Sequence, residues 1–134
     1  MSEPFTFTVW GQARAQGSPH TRATKHGKTV VHEDKKLLDW RHRIADKAIE
    51  AGATMIEGPV SLYCTFWSVR PKSAKNRALP HVSPDLDKLL RAVGDALQGI
   101  CYANDAQITT AYGFKRYGNQ ACAVIRVAED RGEG

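Results

Sequence analysis

The chain has 134 residues, 42% apolar and 25% charged, with 19 Lys and Arg against 14 Asp and Glu and a net charge of +5. That length predicts one domain with its own hydrophobic core. No apolar run approaches the roughly 20 residues of a membrane span, and the N-terminus lacks the basic-then-apolar layout of a signal peptide, so a cytoplasmic protein with no membrane partner is expected.

In chain order, Phe5 to Trp10 alternates apolar side chains with Thr and reads as a strand. Gly11 to His32 holds Arg14, Arg22, Lys25, Lys28 and three histidines but no acid. It has no sustained period and reads as a long basic loop, with short strand content near Lys28 to Val31. Glu33 to Ala51 reads as a helix on the spacing of Leu37, Trp40, Ile44 and Ala48, with Glu33 and Asp34 at its positive end and Gly52 as C-cap. Its five acids balance five cations, so it adds little to the basic surface. Pro59 to Val69 reads as a strand. Arg70 to Val82 is a second basic loop, carrying Arg70, Lys72, Lys75 and Arg77 and no acid.

Ser83-Pro84-Asp85 reads as a helix start, with Ser as N-cap and Pro in the first position, followed by the apolar stripe Leu86, Leu89, Leu90, Val93 and Leu97. Gly99 is the expected stop. Ala106 to Lys115 and Gln120 to Ala128 read as strands joined by a hairpin turn at Tyr117-Gly118-Asn119, and Glu129 to Gly134 as a frayed tail. The order β-α-β-α-β-β predicts an α+β fold over residues 1–134, a mixed sheet with two main helices, in which residues 11–32 and 70–82 are basic loops facing a polyanion.

Cys64, Cys101 and Cys122 are odd in number and lack C-x-x-C spacing, which points to buried apolar side chains and away from disulfides or zinc. The five histidines have no ligand-like spacing. Trp10, Trp40 and Trp67 each sit in a periodic element and read as core. Tyr102 reads as a packing residue.

The chemistry lies in the second half. Between Gly58 and Ala128 there are nine Lys and Arg and only four acids: Asp85, Asp87, Asp95 and Asp105. A few carboxylates in a basic surface suit a metal-dependent phosphodiesterase, where cations hold phosphate and carboxylates hold Mg²⁺. Taken singly, each has a plainer reading. Asp85 and Asp87 could complement a helix dipole, with Asp87 pairing Arg91 at i,i+4. Asp105 after Asn104 could be a turn residue, and Asp95 could hydrogen-bond backbone near the following loop.

Read as one pattern, Ser83-Pro84-Asp85-Leu86-Asp87-Lys88 through Asp95-Ala96-Leu97, followed by Asn104-Asp105-Ala106-Gln107-Ile108, resembles the two motifs of the RusA Holliday-junction resolvase family. The resemblance covers residues 58 to 117 well and the basic loop at 11–32 more loosely. It implies a homodimeric, Mg²⁺-dependent endonuclease, with Mn²⁺ a plausible substitute, that acts in DNA recombination and repair by cutting four-way junctions with paired symmetric nicks. By position it makes Asp85, Asp87 and Asp105 the catalytic, metal-binding carboxylates. Arg91 stands where the family has a catalytic Lys, Lys88 where it has Asn, and Asn104 where it has an acid. The DNA-contacting set expected is Arg14, Arg22, Lys25, Lys28, Arg70, Lys72, Lys75, Arg77 and Lys88. Two other readings stay open: a nuclease of the same fold for flaps or forks, and a non-catalytic DNA-binding module.

Overall fold

The strand with the most buried side chains takes the middle of the sheet, and this decides the topology. In a computed structural model, described for residues 3–17, 20–23, 29–32 and 34–132 (the two short stretches by backbone alone), the elements run β1 (Phe5–Trp10), β2 (His20–Ala23), β3 (Thr29–His32), α1 (Lys35–Glu50), β4 (Val60–Ser68), α2 (Leu86–Leu97), β5 (Ile108–Tyr117) and β6 (Cys122–Glu129). β4 buries Val60, Ser61, Leu62, Cys64 and Phe66. Such a strand needs a partner on each side, and the sheet order is β1-β6-β4-β5. β4 pairs with β6 antiparallel and with β5 parallel. The fold is α+β, as the element order predicts, with α2 as the crossover of a β4-α2-β5 unit.

Both helices cover one face of the sheet, α1 packing on β1 and α2 on β5, and they pack on each other. Their apolar stripes, Trp40 and Ile44 from α1 and Leu89, Val93 and Leu97 from α2, meet Val9, Leu62, Ile125 and Val127 in one core. All three cysteines are free and buried, and burial pushes the thiol of Cys101 up to about 12. Among the described residues no helix is long and apolar enough to cross a membrane.

Several expectations are corrected. β5 and β6 do not form a hairpin: residues 118–121 hop across the end of β4, where the Gly118 amide donates to the Ser68 carbonyl at 2.9 Å. A turn signal between two strands marks a reversal of direction but does not say whether a third strand stands between them. The segment read as a long loop with strand content near Lys28 to Val31 contains the antiparallel β2–β3 ribbon: β3 falls where that strand content is expected, β2 is the addition, and residues 18–19 and 24–28 lie outside the described residues. Asp34 is the N-cap of α1, accepting from the Lys36 amide at 2.8 Å, and Glu33 lies outside the described residues. α1 ends at Ala51 as C-cap, with Gly52 beyond it at φ 83°. Trp10 is not core but 56% exposed. The expected frayed tail is held at its start: Asp130 accepts from the Thr109 and Thr110 hydroxyls at 2.6 Å, which together with the Gly132 amide lower its pKa.

Candidate active site

α2 starts at Leu86 rather than Pro84, because the chain stays extended through Asp85 (φ −70°, ψ 138°). Lys115 of β5 enforces this by donating to the carbonyls of Val82 and Pro84 at 2.6 and 2.7 Å. Asp85, not Ser83, is therefore the N-cap, yet its side chain accepts no capping hydrogen bond. Its nearest partner is Lys88, 3.6 Å away, with both side chains more than half exposed. An exposed pair of this kind contributes little stability, so the Asp85 oxygens stay available to a ligand. Asp87 is exposed in the first turn, and Arg91, one turn on, is exposed too. Among the described residues no ion pair joins them. Asp87, Arg91 and Asp95, at i, i+4 and i+8, form one stripe along α2.

The second motif is built by its own side chains. Asn104 accepts from the Ala106 amide at 2.8 Å, and Gln107 accepts from the amides of Ala103 and Asn104 while donating to the carbonyls of Ile56 and Gly58. Gln98 accepts from the Asp105 amide at 3.0 Å. Asn104 and Gln107 thus spend their polar groups fixing a single 3₁₀ turn, Asp105–Gln107, at whose start Asp105 is exposed. Beneath it, Tyr102 is fully buried and donates to the Gly94 carbonyl at 2.6 Å, tying the turn to α2. Burial pushes the Tyr102 phenol well above its ordinary value. Tyr102→Phe should cost about 1–2 kcal/mol by leaving that carbonyl short of a partner in the core. Thermal unfolding would measure this, and an unchanged midpoint would show the bond to be incidental.

Asp95 is the residue that sequence reasoning missed. Its carboxyl lies near that of Asp105, and its pKa is raised by burial first, then by the Asp105 charge; Arg41 and Arg91 pull it back. It was legible only as a mid-helix acid, because its partner comes from ten residues further on. The site therefore has four carboxylates in two groups, Asp85 with Asp87 and Asp95 with Asp105. The groups do not meet within one chain. Ten residues at about 1.5 Å each put roughly 15 Å of helix axis between Asp85 and Asp95. Among the described residues no three His, Cys, Asp or Glu side chains lie close enough to hold one metal ion.

Both basic segments reach the N-terminal half of α2. The Gln16 amide donates to the Lys88 carbonyl at 2.9 Å, and Gln16 in turn accepts from Arg41. Ala13 of the first segment and Pro71, Arg77 and Pro80 of the second line one cavity of about 170 Å³ with Pro84 and Leu89. Arg70 stacks on Tyr117 at 5.0 Å and Arg77 donates to its hydroxyl at 3.1 Å, so these two cations are anchored to β5. Lys72 and Lys75 are exposed at a short 3₁₀ turn, and Arg14 is half-buried. Lys25, Lys28 and the side chain of Arg22 lie outside the described residues.

Comparison with known proteins bears on this arrangement. The family model described as endodeoxyribonuclease RusA matches residues 12–128. The chain is similar to the uncharacterised protein YqaN of Bacillus subtilis (strain 168), 27% identical over 135 residues covering 92% of this chain and 94% of that one.

Proposed function

The chain belongs to the endodeoxyribonuclease RusA family, and on that footing we propose that it is a divalent-metal-dependent endonuclease that resolves four-way DNA junctions as a homodimer. The observation that carries this reading is the placing of the acids. In a half of the chain where cations outnumber acids nine to four, all four acids lie along or just beyond one helix. Carboxylates beside phosphate weaken binding unless a cation offsets them, so a module that only binds DNA gains nothing by keeping them there.

The donor set fits Mg²⁺, with Mn²⁺ as substitute: all-oxygen, anionic, and open to solvent for the waters such an ion retains. Asp85, Asp87 and Asp105 would hold it, with Asp95 setting the position of Asp105. Since the two groups sit at opposite ends of α2, the fit requires two protomers, Asp85 and Asp87 of one meeting Asp105 of the other. A two-fold axis makes two such sites, as two symmetric cuts demand. When bound, the metal supplies Lewis-acid stabilisation of phosphoryl charge. Arg91 clamps the phosphate being cut through two parallel hydrogen bonds, and its guanidinium, which keeps its proton, stabilises developing charge without acting as an acid. The basic segments hold the flanking backbone, which positions DNA without reading its sequence.

The deciding experiment offers a synthetic mobile four-way junction, a flap and a fork with Mg²⁺. Paired symmetric nicks in the junction are expected. Preferential cutting of flaps or forks would move the substrate to other branched DNA, and binding without cutting would make the chain a DNA-binding module. Lys72→Gln with Lys75→Gln should weaken binding alike for all DNA sequences and flatten the dependence of log K on log salt by about one for each phosphate no longer neutralised. An unaltered slope would turn this loop away from DNA.

A further inference from the structure

Both helices lie on one face of the sheet, and the opposite face carries exposed rings. Leu62, Cys64 and Phe66 of β4 and Ile125 and Val127 of β6 belong to the core, so the residues that alternate with them point the other way. Gly113 of β5 faces Leu86 and Leu90 of α2, which puts Tyr112 and Phe114 on that second face too. Aromatic side chains stand open there: Trp10 is 56%, Tyr112 45% and Phe114 40% exposed.

These rings come with cations. In one row across the sheet, Arg126 of β6 lies 5.6 Å over the ring of Tyr63 in β4, and Tyr63 stacks on Tyr112 of β5 at 5.0 Å and 16°. Further along β5, Arg116 lies 5.3 Å over the ring of Phe114. No position of this face within β1, β4, β5 or β6 is an acid. Glu129 and Asp130 stand at its margin, and Asp130 is engaged by Thr109 and Thr110. Exposed rings interleaved with guanidinium groups suit a ligand that joins flat π-faces to phosphates. An acidic protein would satisfy the arginines but has few flat rings to offer the aromatics. In a duplex the bases are already stacked on one another.

We propose that this face binds single-stranded DNA, as a second site separate from the carboxylates. Unpaired bases stack on Trp10, Tyr112 and Phe114, while Arg116 and Arg126 hold the phosphates between them. The four strands span roughly 14 Å, wide enough for the two or three bases that an aromatic four-stranded sheet takes. DNA is chosen over RNA because the family acts on DNA. α2 and its carboxylates lie across the sheet from this face, so a junction held at α2 and a loose strand held here occupy different surfaces. The site requires no cleavage and stands whether or not the nuclease reading does.

The test uses the full chain in EDTA, so that nothing is cut, and follows the anisotropy of a fluorescent oligo-dT strand of about twelve nucleotides. Trp10→Ala, Tyr112→Ala and Phe114→Ala should each weaken binding by roughly tenfold, the scale for losing one stacked base, with an unaltered circular dichroism spectrum. Tyr112→Phe should bind as the unaltered chain does. Arg126→Gln should flatten the dependence of log K on log salt by about 0.7. A duplex of the same length should bind the three alanine variants as well as it binds the unaltered chain. Absence of saturable oligo-dT binding at micromolar concentration, or an equal loss of single strand and duplex in the alanine variants, overturns the proposal. So does tighter binding of oligo-U, which would make the ligand RNA, or release of oligo-dT by polyglutamate of equal charge, which would make it an acidic protein. A dimer that sediments as a monomer in Trp10→Ala would overturn it by giving the face to a second copy of the chain.

Discussion

Two inactive variants, combined in one dimer, should cut DNA again. Asp87→Asn and Asp105→Asn are each expected to lower cutting by roughly 10³-fold or more, the scale on which removal of one essential group acts. Junction binding should survive or tighten, because a negative charge near phosphate is gone. In a heterodimer of the two, isolated through different affinity tags, one site collects both substitutions. The other is built from Asp85 and Asp87 of the Asp105→Asn chain and from Asp95 and Asp105 of the Asp87→Asn chain, and is intact. The heterodimer should therefore nick one strand of a junction and leave the symmetric strand whole. If each site were made within a single chain, every site in the mixture would carry a defect and nothing would be cut. Failure to recover nicking from a verified heterodimer would defeat the shared site, and near wild-type cutting by either variant alone would defeat the carboxylate assignment.

Arg91 should matter nearly as much. The plain alternative is a surface cation paired with Asp87 at i,i+4, worth well under about 1 kcal/mol. The structure weakens that alternative, since among the described residues no such pair forms, and Arg91 instead helps to hold down the pKa of Asp95, four residues on. Arg91→Ala should lower the single-turnover rate by roughly two to three orders of magnitude, as expected for the loss of one aimed donor. Arg91→Lys should recover a large share, because the charge stays while the planar fork is lost. Metal affinity, followed by a binding titration without DNA, should change little in either variant. A chemical rate within a few-fold of wild type for Arg91→Ala would reduce the residue to helix surface.

The helices were legible because the signals that form them are local. Leu37, Trp40, Ile44 and Ala48 repeat at helical spacing, and all four are buried. Strand partners are not local. Nothing near Tyr117-Gly118-Asn119 says that β4 lies between β5 and β6; only the burial of β4 demands it, and burial of a strand on both sides is a property of the whole sheet. The same limit explains Asp95. Helical spacing places it on the stripe of Asp87 and Arg91, but the turn that brings Asp105 to it depends on Asn104, Gln107 and Gln98 bonding across segments as far apart as Ile56 and Gly58. Trp10 departs from expectation for a simpler reason. Alternation in β1 gives Phe5, Phe7 and Val9 to the core face and leaves position 10 outside, whatever its size.

α2 is also a gauge. In the homodimer proposed above, one cutting point would contain the Asp87 of a given chain and the other the Asp105 of that same chain. The distance between the two cuts is therefore the distance between those residues within one protomer. A helix is stiff and advances about 1.5 Å per residue, so the spacing is fixed by how many residues α2 contains and not by any linker. Lengthening the 70–82 loop would leave that spacing untouched, whereas removing one turn from α2 would shorten it by about 5 Å and bring both cuts out of step with the DNA backbone.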